Sequence, residues 1–476
     1  MVFSSLTFLY LFLPAVFLLY FLLPAKCRNI VLLIASLAFY FYGEQGYLLM
    51  MLDVILITYL AGLLLERLHR KIRTAVLVLF LICDLGLLAV FKYAGLFAAS
   101  INTLAGSDIL HMIQPAMPIG ISFYTFQSIS YGIDVYRGKY PAERNLLNFA
   151  LYISFFPQLI AGPIVRYEDI SRELKERRIS IDGFADGAFR FILGLGKKVL
   201  IADRLFALCQ SIQAVSEASV VLAWMEGIAY LLYVYFDFSG YSDMAIGLGS
   251  CFGFEIPENF NYPLISGSIK EFWRRWHISL GAWFRDYLYI PLGGNRNGLI
   301  KQLLNLLIVW ALTGLWHGAS WNYVIWGLAF GIILIAETIW DKLFKNVETL
   351  DNRKNIHTAF RIVRVISVQF VTVIIFVWFR FQNFDEAIRQ IGNMFGTVSF
   401  WTPDTLYYLK SGFVILLIAL FGATPLPKRI AERIENTKIG VISFPFLRII
   451  VLTAVLLVST AYLVDGSYSP FLYFRF

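Results

Sequence analysis

The side chain best placed to do chemistry is His317, in the stretch Gly314-Leu-Trp-His-Gly-Ala-Ser320. The apolar run Asn305–Trp316 leads into it and a second apolar run starts at Trp321. If the first arm leaves one membrane face near Leu303, His317 lies roughly 21 Å along it at about 1.5 Å per residue. That is short of a hydrocarbon core about 30 Å thick. An ionisable ring on a glycine-flanked turn inside a membrane marks a functional site, and the chemistry open to an imidazole there is acid–base work. His277 stands 40 residues earlier, in the polar stretch described next. For that ring, packing and function are equally open, and the two histidines could line one channel. His69 and His357 lie in basic loops and read as solvated, and His111 sits in an ordinary connection.

The densest polar region within the apolar chain is KEFWRRWHISLGAWFRDYLYIPLGGNRNGLIK, residues 270–301. Lys270, Arg274, Arg275, Arg285, Arg296 and Lys301 outnumber Glu271 and Asp286, which makes a cluster of one sign. On a continuous helix Trp273, Trp276, Leu280 and Trp283 share one stripe, as in an amphipathic helix at a membrane interface. Two readings stand: a headgroup anchor, or a cationic entrance for an anionic donor served by Trp273, Arg274, Arg275, Arg285 and Arg296. The turn Pro291–Gly298 beside Arg296 adds little by itself. Asp237 and Asp243 fall in an apolar stretch, where buried carboxylates need partners. Structural pairing, with the arginine cluster as the candidate partner, is favoured over a proton or ion path. No nucleophile elbow, phosphate-binding loop, zinc motif or dinucleotide fingerprint occurs. Cys27, Cys83, Cys209 and Cys251 have no metal-binding spacing, so neither a metal nor a disulfide framework is expected.

The elements that must position these residues are membrane helices. Hydrophobic residues make up 59% of the chain and charged ones only 15%, against roughly 25% in an ordinary soluble domain. Candidate spans are Leu6–Leu23, Asn29–Tyr42, Tyr47–Leu65, Ala75–Phe91, Pro115–Val135, Phe189–Ile201, Val220–Phe236, Tyr241–Phe254, Trp321–Trp340, Ile362–Phe379, Gly412–Phe421 and Leu447–Leu463, which gives roughly ten to twelve crossings. The net charge of +8 resides in short loops between spans, the positive-inside pattern, and does not indicate nucleic acid. Loops after the first, third and fifth spans are basic, so they are expected in the cytoplasm with the N-terminus outside. Asn148–Pro163 breaks the alternation, because the Arg166–Arg178 segment after it is again basic. With Pro157, Gly162 and Pro163 inside it, this segment reads as a re-entrant hairpin, which survives at membrane depth only when buried in protein. There is no cleavable signal pattern, no transporter-type repeat, and no polar interval long enough for a soluble domain.

FWRRWHISLGAWFRDYLYIPLGGNR followed by LTGLWHGASWNYVIWG resembles the membrane-bound O-acyltransferase family, especially its branch that acetylates bacterial extracellular polysaccharides such as alginate. Pro118–Arg137 and the closing PFLYFRF are similar to that branch, and the likeness covers essentially the whole chain. The resemblance implies an all-α, polytopic fold: a single membrane-embedded domain over residues 1–476, with a core roughly at 115–380. It would form a ring of tilted helices with re-entrant segments around a tunnel and funnel. It implies catalytic roles for His317 and His277 and no permanently bound cofactor. The donor would be a cytoplasmic thioester, acetyl-coenzyme A or an acyl carrier, and the acceptor a surface polysaccharide reached through an extracytoplasmic esterase-like partner. The expected setting is the bacterial cytoplasmic (inner) membrane, among its lipids. D-alanyl transfer to teichoic acid and a non-catalytic transporter are the alternatives.

Overall fold

The computed structural model describes residues 2–111, 116–343, 354–437, 440–466 and 471. Within these the chain is helical, with no strand, and nine helices are long and apolar enough to cross a membrane. They are Ala25–Gly43, Gln45–Arg67, Arg70–Ala105, Val220–Cys251, Leu299–His317, Trp321–Leu343, Phe360–Arg380, Pro403–Gly422 and Ile442–Val464, with Phe8–Leu22 as a shorter apolar helix. The chain is a multi-pass membrane protein. The count falls below the expected ten to twelve partly because Val220–Phe236 and Tyr241–Phe254, read as two spans, belong to one continuous helix ending at Cys251. The small residues Ser239, Gly240 and Ser242 do not break it. The motif PFLYFRF lies outside the described residues except for Phe471.

The chain divides into two compact units. The first comprises residues 1–194 and 241–258. In it Leu48–Arg67 packs on Ile121–Arg137, where Gly62 lets the Tyr131 ring approach and Thr58 bonds Ser128 at 2.5 Å. The expected re-entrant stretch is two short helices, Leu146–Ser154 and Phe156–Leu159, parted at Phe155 just before Pro157. Nine residues rise only about 13 Å, and this stretch is buried in protein. Asp243 pairs here with Arg190 at 2.8 Å.

The second unit comprises residues 195–240 and 259–476. Its core packs residues 229–236 of the long helix against Phe272, Trp276, Trp326, Phe330 and Phe376. An apolar window of Val220–Cys251 is 78% buried, against 39% or less in the other candidate spans. Asp237, on that helix, pairs with Lys198 at 2.7 Å, and Lys198 also meets Asp203 at 2.8 Å. Lys198 and Asp203 are five residues apart, and a wide turn over Lys197–Ala202 brings them onto one face. Both aspartates are thus paired as expected, but with Lys198 and Arg190 instead of the arginines of 270–301.

Candidate active site

Helices Leu299–His317 and Trp321–Leu343 form a tight hairpin in the second unit. Glycine makes the close approach possible. A methyl group on Gly314 would run into the Tyr323 carbonyl oxygen, and one on Gly327 into that of Trp310. His317 is the last residue of the first helix, and Gly318 continues in extended backbone. The sequence reading of a histidine at a glycine turn between two apolar arms therefore holds. The imidazole is buried at 3% exposure inside an aromatic box. Its ring centre lies 4.9 Å from that of Trp316, 5.0 Å from Trp326 and 5.4 Å from Phe379.

His277 reaches the same box. Its ring centre is 5.8 Å from Trp316 and 4.7 Å from Phe238. The backbone around it departs from the expected single amphipathic helix. Ile269–Arg275 and Ile278–Phe284 are separate helices, and His277 between them takes a left-handed conformation at φ 46°. A non-glycine residue there costs about 1–2 kcal/mol and persists only where its surroundings fix it. The fixing is tertiary. Asn261 N–H donates to the Arg275 carbonyl at 2.9 Å, and Ile278 N–H donates to the Asn259 carbonyl at 3.0 Å. The Asn259 side-chain oxygen accepts from Ser279 N–H at 3.2 Å and from the Ser279 hydroxyl at 2.9 Å, and lies 3.2 Å from His277 Nδ1. Sequence periodicity ran through this break because these bonds come from residues 14 to 20 positions away. Burial lowers the pKa of His277 to about 3, so its ring is neutral.

A cavity of about 670 Å³ opens beside His277. Lys270, Arg274, Arg285 and Asp341 are its charged wall, and Trp273 and Trp310 part of its apolar wall. From helix Leu299–His317 it takes Leu306, Val309, Trp310 and Thr313, a stripe at helical spacing. The next position on that stripe, one turn on, is His317. Of the expected donor residues, Trp273, Arg274 and Arg285 line this cavity, with Arg285 also held by Asp286 at 2.6 Å. Arg275 instead clamps the helix break, through Glu271 at 2.9 Å and the Asn261 carbonyl at 3.0 Å. Arg296 is exposed in the turn beyond. Sequence reasoning missed Asn259, Lys270 as a cavity residue and the partnership of Trp273 with Trp310, whose rings meet at 4.6 Å. A second cavity of about 400 Å³, with Glu226, Arg389, Gln390 and Asn393 in its wall, includes Phe381, two residues beyond the Phe379 that packs on His317.

Residues 142–378, which include both histidines, match the family model of membrane-bound O-acyltransferases. The chain is 40% identical to the probable alginate O-acetylase AlgI of Pseudomonas putida over the full length of both proteins. The chain belongs to the membrane-bound O-acyltransferase family. It is also 43% identical to the probable alginate O-acetylase AlgI of Pseudomonas aeruginosa, over 89% of this chain and 81% of that protein. To the peptidoglycan O-acetyltransferase of Helicobacter pylori it is 35% identical, over 83% of this chain and 80% of that one. Membership makes the chain an acyltransferase, and O-acetylation is the activity that these relatives' names state. Among the described residues no group of three or more His, Cys, Asp and Glu is arranged to hold a metal.

Proposed function

We propose that this acyltransferase takes an acetyl group from a cytoplasmic thioester, acetyl-coenzyme A, and passes it across the bacterial inner membrane for O-acetylation of a surface polysaccharide. The observation that carries this reading is the stripe Leu306, Val309, Trp310 and Thr313, which leads from a cationic cavity to His317. Lys270, Arg274 and Arg285 suit the phosphates of coenzyme A. The apolar wall beyond them suits a pantetheine arm and excludes water from the thioester. The two relatives of known acceptor name, acting on alginate and on peptidoglycan, support a polysaccharide acceptor and leave its identity between such glycans.

In this mechanism the acceptor hydroxyl attacks the thioester carbonyl while the His317 imidazole takes the hydroxyl proton. The tetrahedral centre collapses, the carbon–sulfur bond breaks, and the departing thiolate takes a proton to leave as the free thiol. The buried aromatic box of Trp316, Trp326 and Phe379 holds the imidazole in place, so alignment contributes as well as basicity. His277, on the cavity wall and against Trp316, acts on the donor side. A separate extracytoplasmic protein with a serine nucleophile receives the acetyl group and delivers it to the glycan. The test is His317→Ala, measured as surface ester content alongside the amount of protein in the membrane. Ester should vanish while the protein remains, and ester at the normal level would sink the assignment. His277→Ala should reduce ester strongly without abolishing it.

A further inference from the structure

A buried asparagine that lines neither cavity lies against His277, which lines one. We propose that Asn259 is the positioning residue that holds His277 in the Nδ1–H tautomer, so that Nε2 is the basic atom of the ring. This rests on the reading that His277 takes part in acyl transfer. The argument is one of donors and acceptors. Asn259 is fully buried. Its side-chain atom facing His277 Nδ1 also faces the Ser279 backbone N–H, at 3.2 Å in each case. A backbone N–H can only donate. That atom is therefore the amide oxygen, because the flipped amide would set two donors against each other. An amide oxygen can only accept. In a neutral imidazole one nitrogen carries hydrogen and the other a lone pair, so Nδ1, facing an acceptor, must carry the hydrogen. The lone pair then belongs to Nε2.

The neutral ring is the relevant state because burial holds His277 far below its usual pKa. The same asparagine also makes the backbone bend that His277 needs, through Ile278 N–H to its carbonyl. One residue thus sets both the strained φ of His277 and the protonation of its ring, the arrangement by which a third group orients a catalytic histidine. The charged groups that share the cavity wall with His277 are Lys270, Arg274, Arg285 and Asp341. The shift in the ring's proton affinity comes from burial, whereas the uncharged Asn259 acts on which nitrogen is protonated.

The test uses full-length protein in lipid nanodiscs, labelled with 15N-histidine. Only five histidines are present, and His277→Gln identifies the His277 signals. The wild type should show a protonated Nδ1 and a bare Nε2. Asn259→Ala should move the ring toward the other tautomer and lower kcat by roughly ten- to a hundredfold, with KM for acetyl-coenzyme A little changed. Asn259→Asp keeps an acceptor at the same place and adds charge. It should keep the Nδ1–H tautomer, recover most of the lost kcat, and move the acid limb of the pH–rate profile to higher pH. A residue that only braced the loop would be rescued by Asp without that shift. An Nε2–H tautomer in the wild type, or an unchanged tautomer in Asn259→Ala, overturns the proposal; if Asn259→Ala does not fold, an unshifted acid limb in Asn259→Asp does so. Full activity of His277→Gln would instead remove the catalytic reading of His277 and leave the tautomer result standing.

Discussion

At the residue scale, His317 was legible because its surroundings were: two apolar arms and a glycine turn isolate one imidazole, and no long-range information is needed to see that. Its partners were not legible. Trp326 and Phe379 come from separate helices, and sequence spacing carries no signal for three rings converging on a fourth. The cations proposed to meet the donor were legible as a group and not singly. Six cations in one stretch announce an anion, but only the fold separates Arg274, on the cavity wall, from Arg275, tied to Glu271 and the Asn261 carbonyl. That separation has a measurable consequence. Arg274→Ala and Lys270→Ala should each raise KM for acetyl-coenzyme A, by roughly three- to tenfold for a partly exposed charge-assisted contact. The effect should weaken with added salt, and kcat should change little. Arg275→Ala should instead lower the amount of folded protein, because it unties the helix break. Steady-state kinetics at two salt concentrations distinguish them, and equal KM effects for Arg274 and Arg275 would contradict the assignment.

At the element scale, helix types and approximate spans followed from apolar runs, while the breaks did not follow the strongest local signals. The helix through Ser239, Gly240 and Ser242 continues although small residues invite a break there. The helix through Trp276 and His277 stops although the aromatic stripe continues. In both cases tertiary packing outweighs local preference, as buried enclosure does for the first and the Asn259 and Asn261 bonds do for the second. The hairpin carrying His317 depends on an element-level feature, the glycine contact between its two helices. Gly327→Val should force the helices apart at Trp310 and cost about 1–3 kcal/mol or more, read as a lower melting temperature in detergent and loss of acyl transfer. Gly86→Ala is the matched control, a helical glycine with open space around it. It should be neutral or stabilising by up to about 1 kcal/mol. Equal losses in the two variants would mean that helix propensity, not the close approach, sets the requirement at Gly327.

At the scale of the whole molecule, what composition made legible was the solvent: a chain with 59% hydrophobic residues and long exposed apolar faces belongs in lipid. Direction is an expectation from loop charge alone, and the proposed function depends on it. On the orientation expected from loop charge, with the basic loops in the cytoplasm, the cationic cavity would open to the cytoplasm and the hairpin would carry His317 toward the other side. A cysteine at Asn297 or Gly298, in a chain whose exposed Cys83 has been replaced, should be labelled by an impermeant thiol reagent only from the cytoplasmic side. Labelling of intact cells from outside would overturn the orientation and the donor assignment together. The same orientation governs the acceptor. A polysaccharide is large and hydrated, whereas His317 is buried among Trp316, Trp326 and Phe379. The described residues are helical, with nine helices long and apolar enough to cross a membrane. On the proposed function the acetyl group reaches the glycan through a carrier able to approach the helical surface, and an extracytoplasmic protein with a serine hydroxyl would meet that need. Vesicles holding this chain, with acetyl-coenzyme A inside and polysaccharide outside, should acetylate the glycan only slowly. Adding the partner outside should raise the rate by at least about tenfold, the size expected when a loose encounter is replaced by an oriented one. Fast acetylation by this chain alone would show that the glycan itself reaches His317, and the partner requirement would fall.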